Sequence, residues 1–399
     1  MRRVGLFFMV IALALSFIVP SFSPTAQPDD PALVLNVRPA NGGYYESGDH
    51  YEWRASDPAT LRQRSTWGYN RNPILSPDGQ WVTYLSVAAL GVSAIREGRF
   101  PRGMGEVDPV NIWVISNTSP DEVRTATQPA DGVLADPNGL SDNIITRSAP
   151  AWSPDASQLA WVEWGFGSND PSNQVKLVVY DMTKREGTPV TVLVDTPIGY
   201  EGYILPQVRW GETGIAVLVT QIEYNQAAQN FTDRRIITVY SPEGSVISSS
   251  TVLNTAQLPF DYDFIWVDGV EHLFTIGTEV LIDPRTGVQS ELVGDPYYVS
   301  AVSADTQLGA YIAGDDARTF GVNTQKGYIP LAATGVGAVY SVYSRISERV
   351  AIAPDGKHLV YVTDQGEAWI SGMALNQKIP TTGMVTGVVW GPMRWVLMK

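Results

Sequence analysis

His50, His272 and His358 are the only imidazoles in the sequence, and cysteine is absent. A serine hydrolase needs an activated nucleophile, and the Gly-x-Ser-x-Gly elbow that presents one is missing. Thiolate nucleophiles, disulfides, cysteine-ligated zinc and a lipidated N-terminal cysteine fall away together. His272 and His358 each stand just after a turn at the same place in a repeated segment, which gives both a structural cause. Neither a Ser-His-Asp triad nor a histidine metal cluster is expected, and no cofactor.

Two acidic stretches carry the remaining chemistry. Asp136-Pro137-Asn138-Gly139-Leu140-Ser141-Asp142 offers oxygen ligands loosely like a calcium loop but lacks the closing Glu of an EF-hand. A polar loop without metal is the expectation. Asp315 and Asp316 are adjacent, and paired carboxylates can do acid-base work; a solvated turn after Gly314 is the far commoner use of such a pair, and is the expectation here. Asn117-Thr118-Ser119 and Asn230-Phe231-Thr232 match glycosylation acceptors, a triplet too common to carry weight.

Residues suited to recognition are better represented. Arg96, Arg99, Phe100 and Arg102 form a small cationic and aromatic group, and Trp164, Phe166, Tyr200, Tyr203, Tyr224 and Phe231 add apolar contact area. Aromatic residues and Arg are the types enriched where proteins meet. The same side chains could instead fold their loops down onto the scaffold.

The charge balance restricts what such a surface could meet. Net charge is -14, or about -16 without Arg2 and Arg3. Nucleic-acid binding draws on clustered Lys and Arg, and no basic run appears. Arg2 and Arg3 precede an uncharged apolar run from Val4 to Val19 closed by Pro20. Sixteen helical residues reach about 24 Å, short of a hydrocarbon core of roughly 30 Å. Residues 1–26 therefore read as a signal peptide, or as an N-terminal membrane anchor if cleavage near Ala26 fails, with 27–31 a linker. An extracytoplasmic location follows: periplasmic, cell-surface or secreted.

What positions these residues is a repeat. Seven segments share an apolar residue or Trp, a small residue, a Pro/Asp/Gly-type turn, then a short apolar strand. They begin at Leu75, Trp152, Trp210, Trp266, Val302, Ile352 and Trp390. Nine residues after the lead stands Tyr84, Trp161, Tyr311 or Tyr361. Pro fixes φ at the first corner, Asp bonds back to local backbone, and Gly accepts the positive φ that closes a hairpin. Further strands follow in most repeats, as at Asn111 to Ile115, Lys176 to Tyr180, Ile236 to Tyr240, Val280 to Ile282 and Ala368 to Ile370. Four short strands per unit is the content of a propeller blade.

Through Ser76-Pro77-Asp78-Gly79, Trp152-Ser153-Pro154-Asp155 and Ala353-Pro354-Asp355-Gly356 the chain resembles the TolB-like β-propeller repeat family, over roughly residues 70 to 399. The other copies are degraded. The resemblance implies an all-β propeller spanning 32–399. Residues 27 to 70 are too few for the N-terminal α/β domain of TolB, so the Tol-Pal role does not carry over.

A propeller must close, or one blade edge stays unpaired. The last repeat runs out after two strands, and Leu33 to Val37 with Tyr51 to Arg54 can supply an outer pair. This gives seven four-stranded blades, the split blade being closed by both chain ends; six blades is the alternative. The long connections, Val87 to Pro109, Gln128 to Arg147, Gly165 to Asn173, Pro197 to Leu205 and Glu223 to Asp233, all fall on one face. That face is where binding residues are expected. The resulting expectation is a non-enzymatic scaffold for a protein partner in the cell envelope. The alternative is an enzyme, or a receptor for a small ligand or carbohydrate, with its site at the loop-side mouth of the central channel.

Overall fold

The computed structural model describes residues 32–40, 48–87, 92–93, 110–117, 123–126, 144–166, 175–193, 206–226, 229–255, 263–267, 272–276, 280–291, 298–302, 308–313, 316–321, 329–330, 350–352, 359–363, 365–372 and 375–390. Among them the chain is all-β, in antiparallel sheets.

The first sheet opens with β1 (Ala32–Pro39), β2 (Asp49–Arg54) and β3 (Leu61–Gln63). The second holds β4 (Asn70–Leu75), β5 (Trp81–Val87), β6 (Val110–Ser116) and β7 (Val123–Thr125). The third holds β8 (Ile144–Arg147), β9 (Ala151–Trp152), β10 (Gln158–Phe166), β11 (Val175–Asp181) and β12 (Glu186–Leu193), with β8 and β9 both on β10. In the fourth are β13 (Gln207–Gly211), β14 (Gly214–Asn225), β15 (Asn230–Tyr240) and β16 (Val246–Thr255). The fifth contains β17 (Asp263–Val267), β18 (His272–Ile276), β19 (Val280–Ile282) and β20 (Gln289–Glu291). The sixth contains β21 (Tyr298–Val302), β22 (Leu308–Ala313), β23 (Asp316–Gly321) and β24 (Ile329–Pro330). The seventh contains β25 (Val350–Ile352), β26 (Leu359–Val362), β27 (Ala368–Gly372) and β28 (Leu375–Lys378). Then β29 (Gly383–Trp390) returns to pair with β1, from Leu33 opposite Trp390 to Pro39 opposite Gly383.

Strand supply to this shared sheet differs from the sequence expectation of two strands from each end. Asp57 donates its N–H to Arg54 O and accepts from Thr60 Oγ1, turning the chain so that Leu61–Gln63 pairs with Tyr51–Trp53. The N-terminal part thus gives three strands and β29 gives one. The expected strand at 395–397 lies outside the described residues.

The repeated turn is built by its serine. Ser76 Oγ donates to Asp78 Oδ1 at 2.5 Å and accepts the Trp81 N–H at 2.9 Å, while Asp78 Oδ1 also accepts Gln80 N–H. Ser153 repeats these bonds with Asp155 and the Gln158 N–H. Gly79 takes φ 67° at the corner, and Ala156 takes φ 59° at the equivalent place, so the hydroxyl-carboxylate bonding holds the turn even where glycine is missing.

The core lies in layers between successive sheets. In β5, Leu85 packs toward the third sheet with Trp152, Leu159 and Trp161, whereas Val82 and Tyr84 pack toward the first with Val34. In β10, Trp161 joins that same layer with the second sheet, while Ala160 and Val162 meet Val208, Ile215 and Val217 of the fourth. Ala216 and Leu218 then meet Phe264 and Leu273 of the fifth. Such strands are largely apolar because both faces are covered, and alternation sends successive side chains into different layers. The constant offset of the repeat now has a cause: Tyr84 and Trp161 each face the preceding sheet, and Tyr361 takes the side opposite Val360 and Val362, which pack on the first sheet.

Inner strands contact their neighbours in order, β9 with β13, β13 with β17, β17 with β21 and β21 with β25; β29 lies against both β25 and β4. Near the outer edge, Gly244 (φ 90°) presses on Val190 O and Gly287 (φ 72°) on Ser249 O, each turn resting on the outer strand of the preceding sheet. The arrangement is propeller-like.

Candidate functional site

Strand direction puts the β4–β5 and β13–β14 turns at one end of the sheets, and the β1–β2 and β14–β15 connections with the crossings between sheets at the other. At this second end two neighbouring sheets are lengthened. Glu163–Phe166 of β10 continues along β8, with Trp164 opposite Thr146 and Phe166 opposite Ile144. In the next sheet β14 and β15 stay paired as far as Asn225 and Asn230, with Tyr224 directly opposite Phe231. Four of the candidate contact residues therefore lie on paired strands at one end of two adjacent sheets. This corrects two boundaries: most of Glu223 to Asp233 is hairpin, and Gly165 and Phe166 belong to β10. The apolar and β-branched residues there, Ile222, Tyr224, Phe231 and Thr232, suit strands as well as loops. Arg96, Arg99, Phe100, Arg102, Tyr200 and Tyr203 lie outside the described residues.

The base of the first extension is fixed by a buried arginine. Arg147, 2% exposed, donates from Nε to Glu163 Oε2 at 2.8 Å and from Nη1 to Val110 O at 2.6 Å, tying β8 to the second sheet. Burial pulls its pKa down, and the Glu163 carboxylate opposes that shift.

At the same end of the first sheet is a second feature. Asp49 Oδ1 accepts from Ser65 Oγ at 2.7 Å, Gly68 N–H at 3.0 Å and Asn70 Nδ2 at 3.0 Å. Two residues on, Tyr51 shares the face of β2 on which Asp49 lies; burial, then the Asp49 charge, raises its phenol pKa. Asp49 and Tyr51 line a cavity of about 280 Å³ with Val37, Pro39, Ala40, Thr382 and Gly383, residues drawn from both chain ends. The sequence reading missed this place. Its available signal was the alternation Asp49-x-Tyr51 at a strand start, which many strands share.

On the opposite face of β2, Glu52 is fully buried and paired with Arg54 at 2.5 Å and Arg64 at 3.3 Å. His50 beside it is also fully buried, and among the described residues neither ring nitrogen has a hydrogen-bond partner. Desolvation lowers its pKa to about 3, so the ring is neutral.

The other marked residues have structural uses or fall outside. Asn117 is 2% exposed and donates to Gly79 O, which removes it as an accessible acceptor. Asn230 opens β15, Asp316 opens β23 opposite Ala313, and His272 opens β18 opposite Val267. Residues 136–142, Asp315 and His358 lie outside the described residues, as does the apolar run from Val4 to Val19. Among the described residues no group of three or more His, Asp or Glu could hold a metal ion, and no helix is long and apolar enough to cross a membrane.

No protein-family model matches the chain, and no curated protein matches it. Solved structures do. An oligogalacturonate lyase in complex with manganese superposes with a TM-score of 0.54 at 12% identity, covering 86% of this chain and 90% of that one. TolB from Acinetobacter baumannii gives 0.44 at 14% identity over 91% of this chain and 67% of its own. The β-propeller domain of the Trilobed protease from Pyrococcus furiosus gives 0.47 at 12% identity over 89% and 95%. This likeness concerns the fold alone, which is all-β and propeller-like.

Proposed function

We propose that this chain is an exported, non-enzymatic scaffold whose lengthened end holds a protein partner of the cell envelope. In this reading the seven sheets are blades of one ring, and the sheet shared by both chain ends closes it. A closed ring is rigid, and rigid scaffolds carry recognition on the segments that rise above them. The reading rests on one observation: two adjacent sheets lengthen toward the same end and bring Trp164, Phe166, Tyr224 and Phe231 onto those extensions. Export rests on the N-terminal run.

The test is site-specific crosslinking in cells. A photoreactive residue at position 224 or 164 is expected to capture a discrete protein, and one at Asp78, in a turn at the opposite end, is not. Replacing residues 223–232 by Asn-Gly should leave the sheet folded and abolish capture. Equal capture from both ends, or none from either, would overturn the proposal.

A further inference from the structure

Asp49 has one oxygen saturated and the other nearly open. Oδ1 carries three donors, whereas Oδ2 has only Gln63 Nε2 at 3.5 Å among the described contacts. The carboxylate is thereby locked in place at the wall of a partly open cavity whose other walls are apolar or neutral: Val37, Pro39, Ala40, Tyr51, Thr382 and Gly383. Among the described residues no cationic side chain lines it, and the whole chain carries -14.

The geometry points to this cavity as a binding site for an alkylammonium group, either the side chain of a lysine or a free alkyl diamine. A single fixed oxygen suits a point charge. A guanidinium gains most from two parallel bonds to both carboxylate oxygens, and here one is already taken. Calcium would want six to eight oxygen ligands, and one carboxylate cannot supply them. Val37 and Pro39 offer apolar surface for a methylene stem, and the Tyr51 phenol can accept a second ammonium hydrogen. The volume, about 280 Å³, lies at the small end of ligand sites, which suits a short unbranched chain.

The site is formed by β1, β2 and the residues entering β29, so an occupant bridges the two ends of the chain. Binding should therefore raise thermal stability, since the occupied form requires those ends to be paired.

Calorimetric titration of the full chain with cadaverine tests this directly. Nα-acetyl-lysine methylamide serves as the peptide-like source of the same group, and agmatine and 1-pentanol as controls. Saturable binding of either ammonium compound is expected, with a Kd on the order of 1 mM for so small a ligand, and with a rise in melting temperature. The tighter of the two identifies the source. Asp49→Asn should weaken binding at least tenfold. Thr382→Trp should do the same by filling the cavity; Thr382 is exposed and bonds none of the Asp49 donors, so this variant keeps the fold if Asp49→Asn does not. The proposal is overturned by no saturable binding of either ammonium compound, by 1-pentanol binding as well as cadaverine, by agmatine binding tenfold tighter, or by unchanged affinity in folded Thr382→Trp.

Discussion

The imidazole of His50 meets the ring of Tyr84 edge to face, with centroids 5.1 Å apart and planes at 81°. The two belong to different sheets, β2 in the sheet holding both chain ends and β5 in its neighbour. Burial keeps the imidazole neutral and pushes the Tyr84 phenol well above its ordinary value. The contact that joins these sheets is therefore uncharged in the folded protein, and it contains a group that charges readily once exposed.

That difference predicts acid sensitivity. Below pH 6.5 the unfolded chain protonates His50, while the folded chain refuses the proton down to about pH 3. The unfolded state binds more protons across this window, so stability falls as pH drops through it, by on the order of 4 kcal/mol for this residue alone. His50→Leu removes no side-chain hydrogen bond to the described residues and should cost little at pH 7, under about 1 kcal/mol. In urea unfolding at pH 7 and pH 4 the variant should lose several kcal/mol less than the wild type. Asp49, Glu52, Arg54 and Arg64 are common to both proteins, so the difference isolates His50. Parallel pH slopes would show that the imidazole is not the acid-sensitive group.

Two glycines at positive φ should behave differently. At Gly79 (φ 67°) an added Cβ meets nothing within 4 Å, so Gly79→Ala carries only the backbone cost, about 1 kcal/mol. At Gly244 (φ 90°) the same Cβ would overlap the carbonyl of Val190 in the preceding sheet. Gly244→Ala must add displacement of that outer strand, for a total of about 3 kcal/mol or more. Denaturant midpoints of the two variants measure the contrast, and equal losses would mean that the turn does not bear on β12.

The sequence made this architecture legible in some respects and not in others, for separable reasons. The lead-plus-nine aromatics could be found because the layer between sheets accepts a large ring at one strand position, as at Tyr84 and Trp161. The serine of the turn could be read only as a small residue, because its bonds to Asp78 and Trp81 N–H depend on a corner already folded. Tyr224 and Phe231 were readable as two aromatics of one segment but not as a cross-strand pair, since register belongs to the partner strand. Asp49 gave only the common Asp49-x-Tyr51 alternation: its donors Ser65, Gly68 and Asn70 lie 16 to 21 residues away, and only the return of the chain beside β4 brings them together.

The turn chemistry itself can be tested at Ser153. Ser153→Ala removes the donor to Asp155 Oδ1 and leaves the Gln158 N–H without its acceptor, a loss of about 1–2 kcal/mol. The Ser153 hydroxyl is also the foremost cause holding the Asp155 pKa below its ordinary value. Folded Ser153→Ala should therefore show Asp155 titrating closer to a free aspartate, which carboxyl-resolved NMR can follow. An unchanged titration would mean that the Ser157 bonds alone control that carboxylate.

The pairing of β1 with β29 makes the strongest demand on the chain, because it joins residues 344 to 357 positions apart. Val34 and Val389 face each other in that register, and the natural sequence contains no cysteine to compete. Val34→Cys combined with Val389→Cys should form one disulfide on oxidation of the folded protein, seen as a mobility shift that reductant reverses. Closing so long a loop removes much of the entropy of the unfolded chain, which by the loop-length relation stabilises by up to about 5 kcal/mol if the bond forms without strain. The melting temperature of the oxidised form should then exceed that of the reduced form of the same variant. Burial of Val34 makes the reduced variant less stable than wild type, so the reduced form is the proper reference. If both thiols stayed free and mutually unreactive in the folded protein, β1 and β29 would not be neighbours, and the shared sheet would have to be assigned to other strands.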